Sequence, residues 1–317
     1  MDSLLLEKIK VKVKQIREKM STFDAYYTKG LELYEEKKYK LAIDFFKKAL
    51  SQSNAQEYAN YNLALTYQHV ENFDEALKYY DKFLEYYPED RSALYNVATI
   101  HYNKEDYKTA SKYFLKSFEQ EQDEDTAVAI TQCYLKTNDM SKIMDLTEYI
   151  FNSNCKNTCA FEIAKTVERQ YNLKNDEILD YALNIYSRLY KNNDKYFDAV
   201  LAISLVYAKK GDWTNAIKYC EKALEINPKS YEANNQMGLT YYCAENMEMC
   251  LHYYEKAFQL NNKTDYKIYS NLAYAYEKVG KTEEAINLFK ELVTKFPNCP
   301  TKDEIKEHTR QLIQQER

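Results

Sequence analysis

Alanine returns at a fixed interval along this chain. Ala42, Ala76 and Ala110 stand 34 residues apart, as do Ala182, Ala216 and Cys250, and Ala285 follows 35 residues later. No single helix or strand produces such a period, because their side-chain patterns repeat every ~3.6 and ~2 residues. It requires a supersecondary unit laid down repeatedly, each copy covering the apolar face of its neighbour. Twelve residues before most anchors sits a second small residue: Gly30, Ala64, Ala98, Ser204, Gly238 or Ala273. Small residues at both places let two antiparallel helices approach closely, where a larger side chain would hold the backbones apart.

The rest of the unit fits the same geometry. Four residues after the anchor there is usually a ring (Phe46, Tyr80, Phe114, Tyr186, Tyr254, Phe289), and nine before it often a tyrosine (Tyr67, Tyr134, Tyr207, Tyr241, Tyr276). Spacings of three, four and seven put these groups on one helical face. Short turns such as KKGD (209–212) and KVGK (278–281) separate the two helices. Pro88, Pro228 and Pro297 end the second helix, since proline cannot continue one. The chain has only four glycines and four prolines in 317 residues, with 29% charged residues, which excludes a turn-rich β architecture and favours nearly all helix.

The stretches NLALTY…FDEALKYYDKFLEYYP (62–88), LVYAKKGDWTNAIKYCEKALEINP (205–228), NQMGLTYY (235–242) and NLAYAYEKVGKTEEAINLFKELVTKFP (271–297) carry a further signal. They resemble the tetratricopeptide repeat, with its Trp-x2-Leu-Gly-x2-Tyr first helix and Ala-x3-Phe second helix before a proline. The resemblance covers roughly residues 23 to 299 and implies an all-α fold, a right-handed α-α superhelix (solenoid) of about eight helix hairpins. The expected organisation is an N-terminal helix (1–22), a first block (23–123), degenerate fourth and fifth units (124–196), a second block (197–299) and a C-terminal capping helix (300–317).

The N-terminal segment shows Leu6, Val13 and Met20 at one heptad place and Ile9 and Ile16 at another, favouring a helix. KIKVKVK also alternates like a strand, but an all-helical chain offers it no sheet edge. At the other end, KDEIKEHTRQLIQQE (302–316) is polar apart from Ile305, Leu312 and Ile313, which suits a terminal cap.

Composition narrows the chemistry. A formal net charge of −5 gives no general attraction to nucleic acid or anionic lipid. Seven cysteines, mostly in or beside helical patterns, give no paired disulfide framework, which points to a reducing compartment. The opening MDSLLLEKIKVKVKQIREKM has too short an apolar run for a signal peptide, and nothing approaches a membrane span, so the expected location is cytoplasmic. The four glycines are too scattered to cradle a phosphate, and no two histidines have the spacing of a zinc helix. Cys155 and Cys159 share a helical face but read as two thiols in a degenerate repeat. His101 takes a tyrosine's place and Trp213 that of Tyr39, Phe73 and Tyr107, so both read as packing residues. EQEQDED (119–125) reads as a polar turn. No catalytic residue, metal site or cofactor is assigned.

In a stack of helix pairs the first helices line the concave side, and their inward places are those not used for packing. Here these are Tyr27, Leu31 and Tyr34; then Tyr61, Asn62, Leu65 and His69; then Tyr95, Asn96, Thr99, Tyr102 and Asn103. Later units offer Leu201 and Leu205; Asn235, Gln236, Leu239 and Tyr242; and Asn271, Tyr274 and Lys278. Tyrosine rings give contact area at low entropy cost, and asparagine amides pair with any backbone, so the expected ligand is a peptide or protein segment. The reading is a non-catalytic protein–protein interaction scaffold or adaptor; an RNA-binding repeat or the regulatory subunit of a separate enzyme are the alternatives. RNA binding requires basic groove residues, and these places supply mainly Lys278. Repeats that clamp the carboxylate tail of heat-shock chaperones use Lys and Asn on the first helix. Tyr27, Leu31, Ser92 and Asn96 replace that set and Asn62 alone matches, which argues against such a clamp. The oligomeric state is left open.

Two units depart from the pattern. Thr131, Ile143 and Thr147 take the small and ring places of the fourth, and Ala164 and Ala182 of the fifth stand 18 apart, not 12. Solenoid stability is close to a sum of unit and interface terms, so residues 124–180 are expected to form a softer joint. Hydrogen exchange checks this: amides of 124–180 should exchange faster than those of 57–90 and 197–230, and uniform protection would contradict it.

Overall fold

The computed structural model describes residues 22–52, 57–153, 155–170, 176–261 and 264–315. The helix expected at 1–22 lies, but for its last residue, outside them, as does most of the insertion at 171–177. Among the described residues there are seventeen α-helices and no strand. They are α1 (Thr22–Glu35), α2 (Tyr39–Gln52), α3 (Glu57–His69), α4 (Phe73–Leu84), α5 (Arg91–Asn103), α6 (Tyr107–Gln120), α7 (Glu124–Lys136), α8 (Met140–Asn152) and α9 (Asn157–Glu168). Then come α10 (Asp176–Asn192), α11 (Phe197–Lys209), α12 (Trp213–Ile226), α13 (Tyr231–Cys243), α14 (Met247–Leu260), α15 (Tyr266–Lys278), α16 (Thr282–Lys295) and α17 (Lys302–Gln315). The chain forms two compact units, residues 1–166 and 167–317. Each is an all-α stack of helical hairpins, the solenoid class that the 34-residue period requires.

The periodic residues form the core. Every alanine anchor is buried, as is Cys250, and so are the small residues twelve places earlier and the rings four places later. In the first unit Phe46, Leu63, Tyr67, Tyr80 and Phe83 share one apolar cluster with Ala42, Ala64 and Ala76. In the second, Phe289 and Leu292 pack with Ile305 and Leu312 of α17, which thereby covers the last hairpin. Tyrosine suits this core because the ring packs while the hydroxyl finds a partner. Tyr80 donates to Gln68 Oε1 (3.0 Å), Tyr269 to Glu291 Oε1 (2.9 Å) and Tyr276 to Glu255 Oε1 (2.9 Å). The tyrosines nine places before the anchor stack on the ring three places after it, as in Tyr67–Tyr79, Tyr207–Tyr219 and Tyr241–Tyr253. His101 keeps that role, lying parallel to Tyr113 with Nδ1 3.3 Å from Asp106. Where Ile143 replaces the anchor alanine, α7 and α8 approach closely over a much shorter length than the hairpins of the first three and last three repeats, in keeping with its bulk.

One turn design joins the helices of a hairpin. A residue with positive φ ends the first helix: Lys37, Glu71, Glu105, Asn138, Gly211, Glu245 or Gly280. The next residue donates its backbone N–H five residues back, for example Asn72 to Tyr67 O (2.9 Å) and Asp106 to His101 O (2.9 Å), closing a Schellman motif. At most of these turns its side chain also caps the second helix: Asn72 accepts from Glu75 N, Asp106 from Thr109 N, Asp212 from Asn215 N and Asn246 from Met249 N, whereas Lys281 makes no such bond. A single residue therefore stops one helix and starts the next, which explains turns of only three residues.

Two glycines answer to different constraints. A Cβ on Gly211 meets nothing within 4 Å, so only its φ of +75° penalises a side chain. A Cβ on Gly238 lies 2.5 Å from Tyr254 Cδ1, at the closest point of its hairpin. Gly211→Ala should cost about 1 kcal/mol through backbone strain alone. Gly238→Ala should cost about 1–3 kcal/mol through overpacking. Urea denaturation of both variants checks the order, and an equal or reversed loss would contradict it.

Candidate functional site

The first helices of successive hairpins lie side by side in each unit, and their outward residues meet across the gaps. In the first unit Asn62 Nδ2 donates to the Tyr27 hydroxyl (2.7 Å) and also to the Tyr58 carbonyl (3.1 Å). One hairpin on, Asn96 Nδ2 donates to the Tyr61 hydroxyl (3.3 Å). The Tyr34 hydroxyl stands 2.6 Å from His69 Nε2, and the His69 ring stacks on Tyr39. These contacts link residues 35 apart, one repeat plus one residue, so the ladder is a direct product of the sequence period. Each phenol accepts from an amide and keeps its own O–H, and each asparagine keeps its carbonyl oxygen. Burial raises the pKa of Tyr27, Tyr61 and Tyr95, with Tyr58 adding at Tyr27, Asp90 at Tyr61, and Asp125 and Asp123 at Tyr95, so these hydroxyls stay protonated donors at neutral pH.

The sequence-derived residues fall into two sets, one in each compact unit. Tyr27, Tyr61, Asn62, Leu65, Tyr95, Asn96, Thr99 and Tyr102 lie half-buried on α1, α3 and α5. Thr99 spends its hydroxyl on the Tyr95 carbonyl (2.9 Å), and Tyr102 packs edge-on to Tyr107. In the second unit Leu201 and Leu205 lie on α11, Gln236, Leu239 and Tyr242 on α13, and Asn271 and Tyr274 on α15. Asn271 Nδ2 donates to Asn235 Oδ1 (2.9 Å), a second inter-hairpin link. Leu201 and Leu239 are drawn partly into apolar clusters, and Tyr274 packs against Phe289 and His308 of α17. Within this second set Tyr242 and Tyr274 are exposed, whereas every residue of the first set is half-buried.

A cavity of ≈ 360 Å³ opens on the first-helix face of the first unit, lined by Tyr61, Arg91, Ser92, Tyr95, Asn96, Asp123 and Asp125. Arg91, Ser92, Asp123 and Asp125 are absent from the sequence-derived set. Arg91 Nη2 is 2.8 Å from Asp123 Oδ2, and its Nε is 3.4 Å from Glu121 Oε2. Burial pushes the Asp123 pKa up, but Thr126 and Arg91 outweigh it and hold the carboxyl below its ordinary value. Asp123 also caps α7, accepting from Thr126 N (2.9 Å), so residues 121–123 are the polar turn expected. The signal for this wall was present in the sequence: Arg91 and Asp125 stand at the start of successive first helices, 34 residues apart. Elsewhere, Cys159 is buried with its thiol 3.9 Å from the Gln122 carbonyl, and burial first, then Cys155, raises its pKa. Among the described residues no group of three His, Cys, Asp or Glu could hold a metal, and no helix is long and apolar enough to cross a membrane.

Comparison with known proteins agrees with the hairpin geometry. Residues 33–98 match the tetratricopeptide repeat model, and residues 69–145 match that of anaphase-promoting complex, cyclosome, subunit 3. Residues 182–310 match the C-terminal ARM domain of tetratricopeptide repeat protein 21. The chain is a tetratricopeptide-repeat protein. It is 24% identical over 127 residues to the general transcriptional corepressor ssn6 of Schizosaccharomyces pombe, a match covering 40% of this chain and 12% of that protein. Among solved structures, a thermophilic TPR protein of Thermus thermophilus aligns with 71% of this chain and 99% of its own at 15% identity and a TM-score of 0.42. The APC/C hetero-tetramer Cut9–Hcn1 aligns with 90% of this chain and 55% of its own at 12% identity and a TM-score of 0.46.

In this tetratricopeptide-repeat protein the ladder should be measurable as coupling between hairpins. A double-mutant cycle of Tyr27→Phe and Asn62→Ala, read by thermal unfolding, should give an interaction of about 1 kcal/mol. A coupling of zero would mean that the bond exchanges with water at no net gain.

Proposed function

We propose that this tetratricopeptide-repeat protein is a non-catalytic scaffold that holds an extended segment of a partner protein on the first-helix face of its first compact unit. Repeats of this kind are typical of protein–protein interaction, and the reading goes one step finer by choosing a surface. The observation that carries it is the Tyr27–Asn62 and Tyr61–Asn96 ladder, half-buried and held in place by its own hydrogen bonds. Rings fixed in advance lose little entropy on binding, and the remaining phenol protons and amide oxygens can pair with the backbone of an extended chain. The second unit offers a different surface, because its inter-hairpin link joins two asparagines, Asn271 and Asn235, without a phenol. A cytosolic setting belongs to the proposal and is supported by seven free thiols.

Crosslinking capture compared between the wild type and the Tyr61→Ala/Tyr95→Ala double variant tests the surface. A buried tyrosine anchor is worth on the order of 2 kcal/mol, so partners held by the ladder should fall to a few per cent of their wild-type yield. An unchanged set of captured proteins would remove this face as the site.

A further inference from the structure

The cavity beside the ladder has a chemistry that selects one kind of side chain. It spans three hairpins, with Tyr61 on α3, Arg91, Ser92, Tyr95 and Asn96 on α5, and Asp123 and Asp125 at the start of α7. Its one cation is already matched: Arg91 lies against both Asp123 and Glu121, so its charge is offset inside the wall. Asp125 is exposed, and among the described residues no cationic side chain lies within ion-pair distance of it. The cavity therefore carries a net negative charge. The other polar residues lining it, Tyr61, Tyr95, Ser92 and Asn96, bring no further charge, and each offers lone pairs beside its own donor.

We infer that this cavity takes a lysine or arginine side chain of the bound segment, with Asp125 supplying the charge and the Tyr61 and Tyr95 phenols supplying further acceptors. An ammonium brings three donors and no acceptor, which matches a wall rich in lone pairs. The aliphatic stem of such a side chain is at the same time suited to lie along tyrosine rings. A carboxylate ligand fits poorly. Asp123 and Glu121 already offset the charge of Arg91, and Asp125 would repel such a ligand. The inference rests on the groove reading, because it names the chemistry of a residue carried by the segment held on this face.

The test uses the full chain, labelled with 15N, and three small probes: N-acetyl-lysine methylamide and its norleucine and glutamate counterparts. The lysine probe should shift the amides of Ser92, Tyr95 and Asn96 with saturable dependence, at least about tenfold more tightly than norleucine, with the glutamate probe weaker still. Asp125→Asn, a change at an exposed side chain, should weaken the lysine probe about fivefold or more and leave norleucine unchanged. Equal binding of all three probes, absence of lysine-dependent shifts, or indifference to Asp125→Asn would each overturn the inference. The two readings fail separately. Tyrosine-dependent capture without lysine binding leaves the groove standing and removes the basic side chain. Lysine binding at Asp125 with tyrosine-independent capture supports the cavity and removes the groove.

Discussion

Most of the hairpins depend on a backbone approach that only a small residue permits. At Gly30 and Gly238 the facing ring comes so near that an added Cβ would lie 2.6 Å from Phe46 and 2.5 Å from Tyr254. At Ala64, Ala98 and Ala273 a methyl occupies the same place, fully buried. The ring opposite fills the volume that the small residue leaves, so two helices with modest amphipathic faces acquire a dry seam. Where the pair of small residues is lost, at Thr131 and Ile143, both side chains are still buried, and the threonine hydroxyl turns back to the Ala127 carbonyl (2.8 Å). That hairpin keeps its apolar content but not its close seam.

The seam fixes what the outer faces can do. With the helices of a hairpin locked, the first helices of neighbouring hairpins take a set spacing, and residues 35 or 36 apart come within hydrogen-bond range. Tyr27 with Asn62, Tyr61 with Asn96 and Asn235 with Asn271 all follow from that spacing. A face built in this way is ordered before any ligand arrives, which suits a protein that works by presenting shape. The tight turns contribute as well. A left-handed residue and a capping side chain in direct succession leave no slack for one helix to slide on the other.

Much of this was legible in the residues themselves. The anchors at Ala42, Ala76 and Ala110, their partners twelve residues earlier and the rings at Phe46, Tyr80 and Phe114 gave the hairpin, its seam and its register before any coordinates. The outward places on α1, α3 and α5 followed from helical periodicity alone, although periodicity did not reveal that Asn62 and Asn96 spend their amides on phenols. Other features depend on distances between hairpins that no local pattern encodes. The Arg91–Asp123 pair joins residues 32 apart across a hairpin boundary, and it converts an apparently ordinary polar turn into one wall of a cavity. Glu168 is buried in the second unit, where it accepts from Tyr186 (2.9 Å) and pairs with Lys209 (2.7 Å). Its sequence neighbourhood reads as a solvated helix end.

By itself the sequence determined the repeat, because small residues and rings 12, 16 and 34 residues apart admit one way of burying their apolar surface, namely stacked helical hairpins. It also determined which side of each first helix stays open, since helical geometry allots every residue to a face. Only the tertiary structure decided which open residues meet, which charges cancel and where a carboxylate is left unmatched. Those outcomes depend on side-chain reach across neighbouring hairpins, a matter of ångströms that composition and periodicity do not fix. Asp125 shows the difference: in the sequence it is one acid among several in EQEQDED, and in the fold it is the exposed carboxylate at the mouth of a tyrosine-lined cavity.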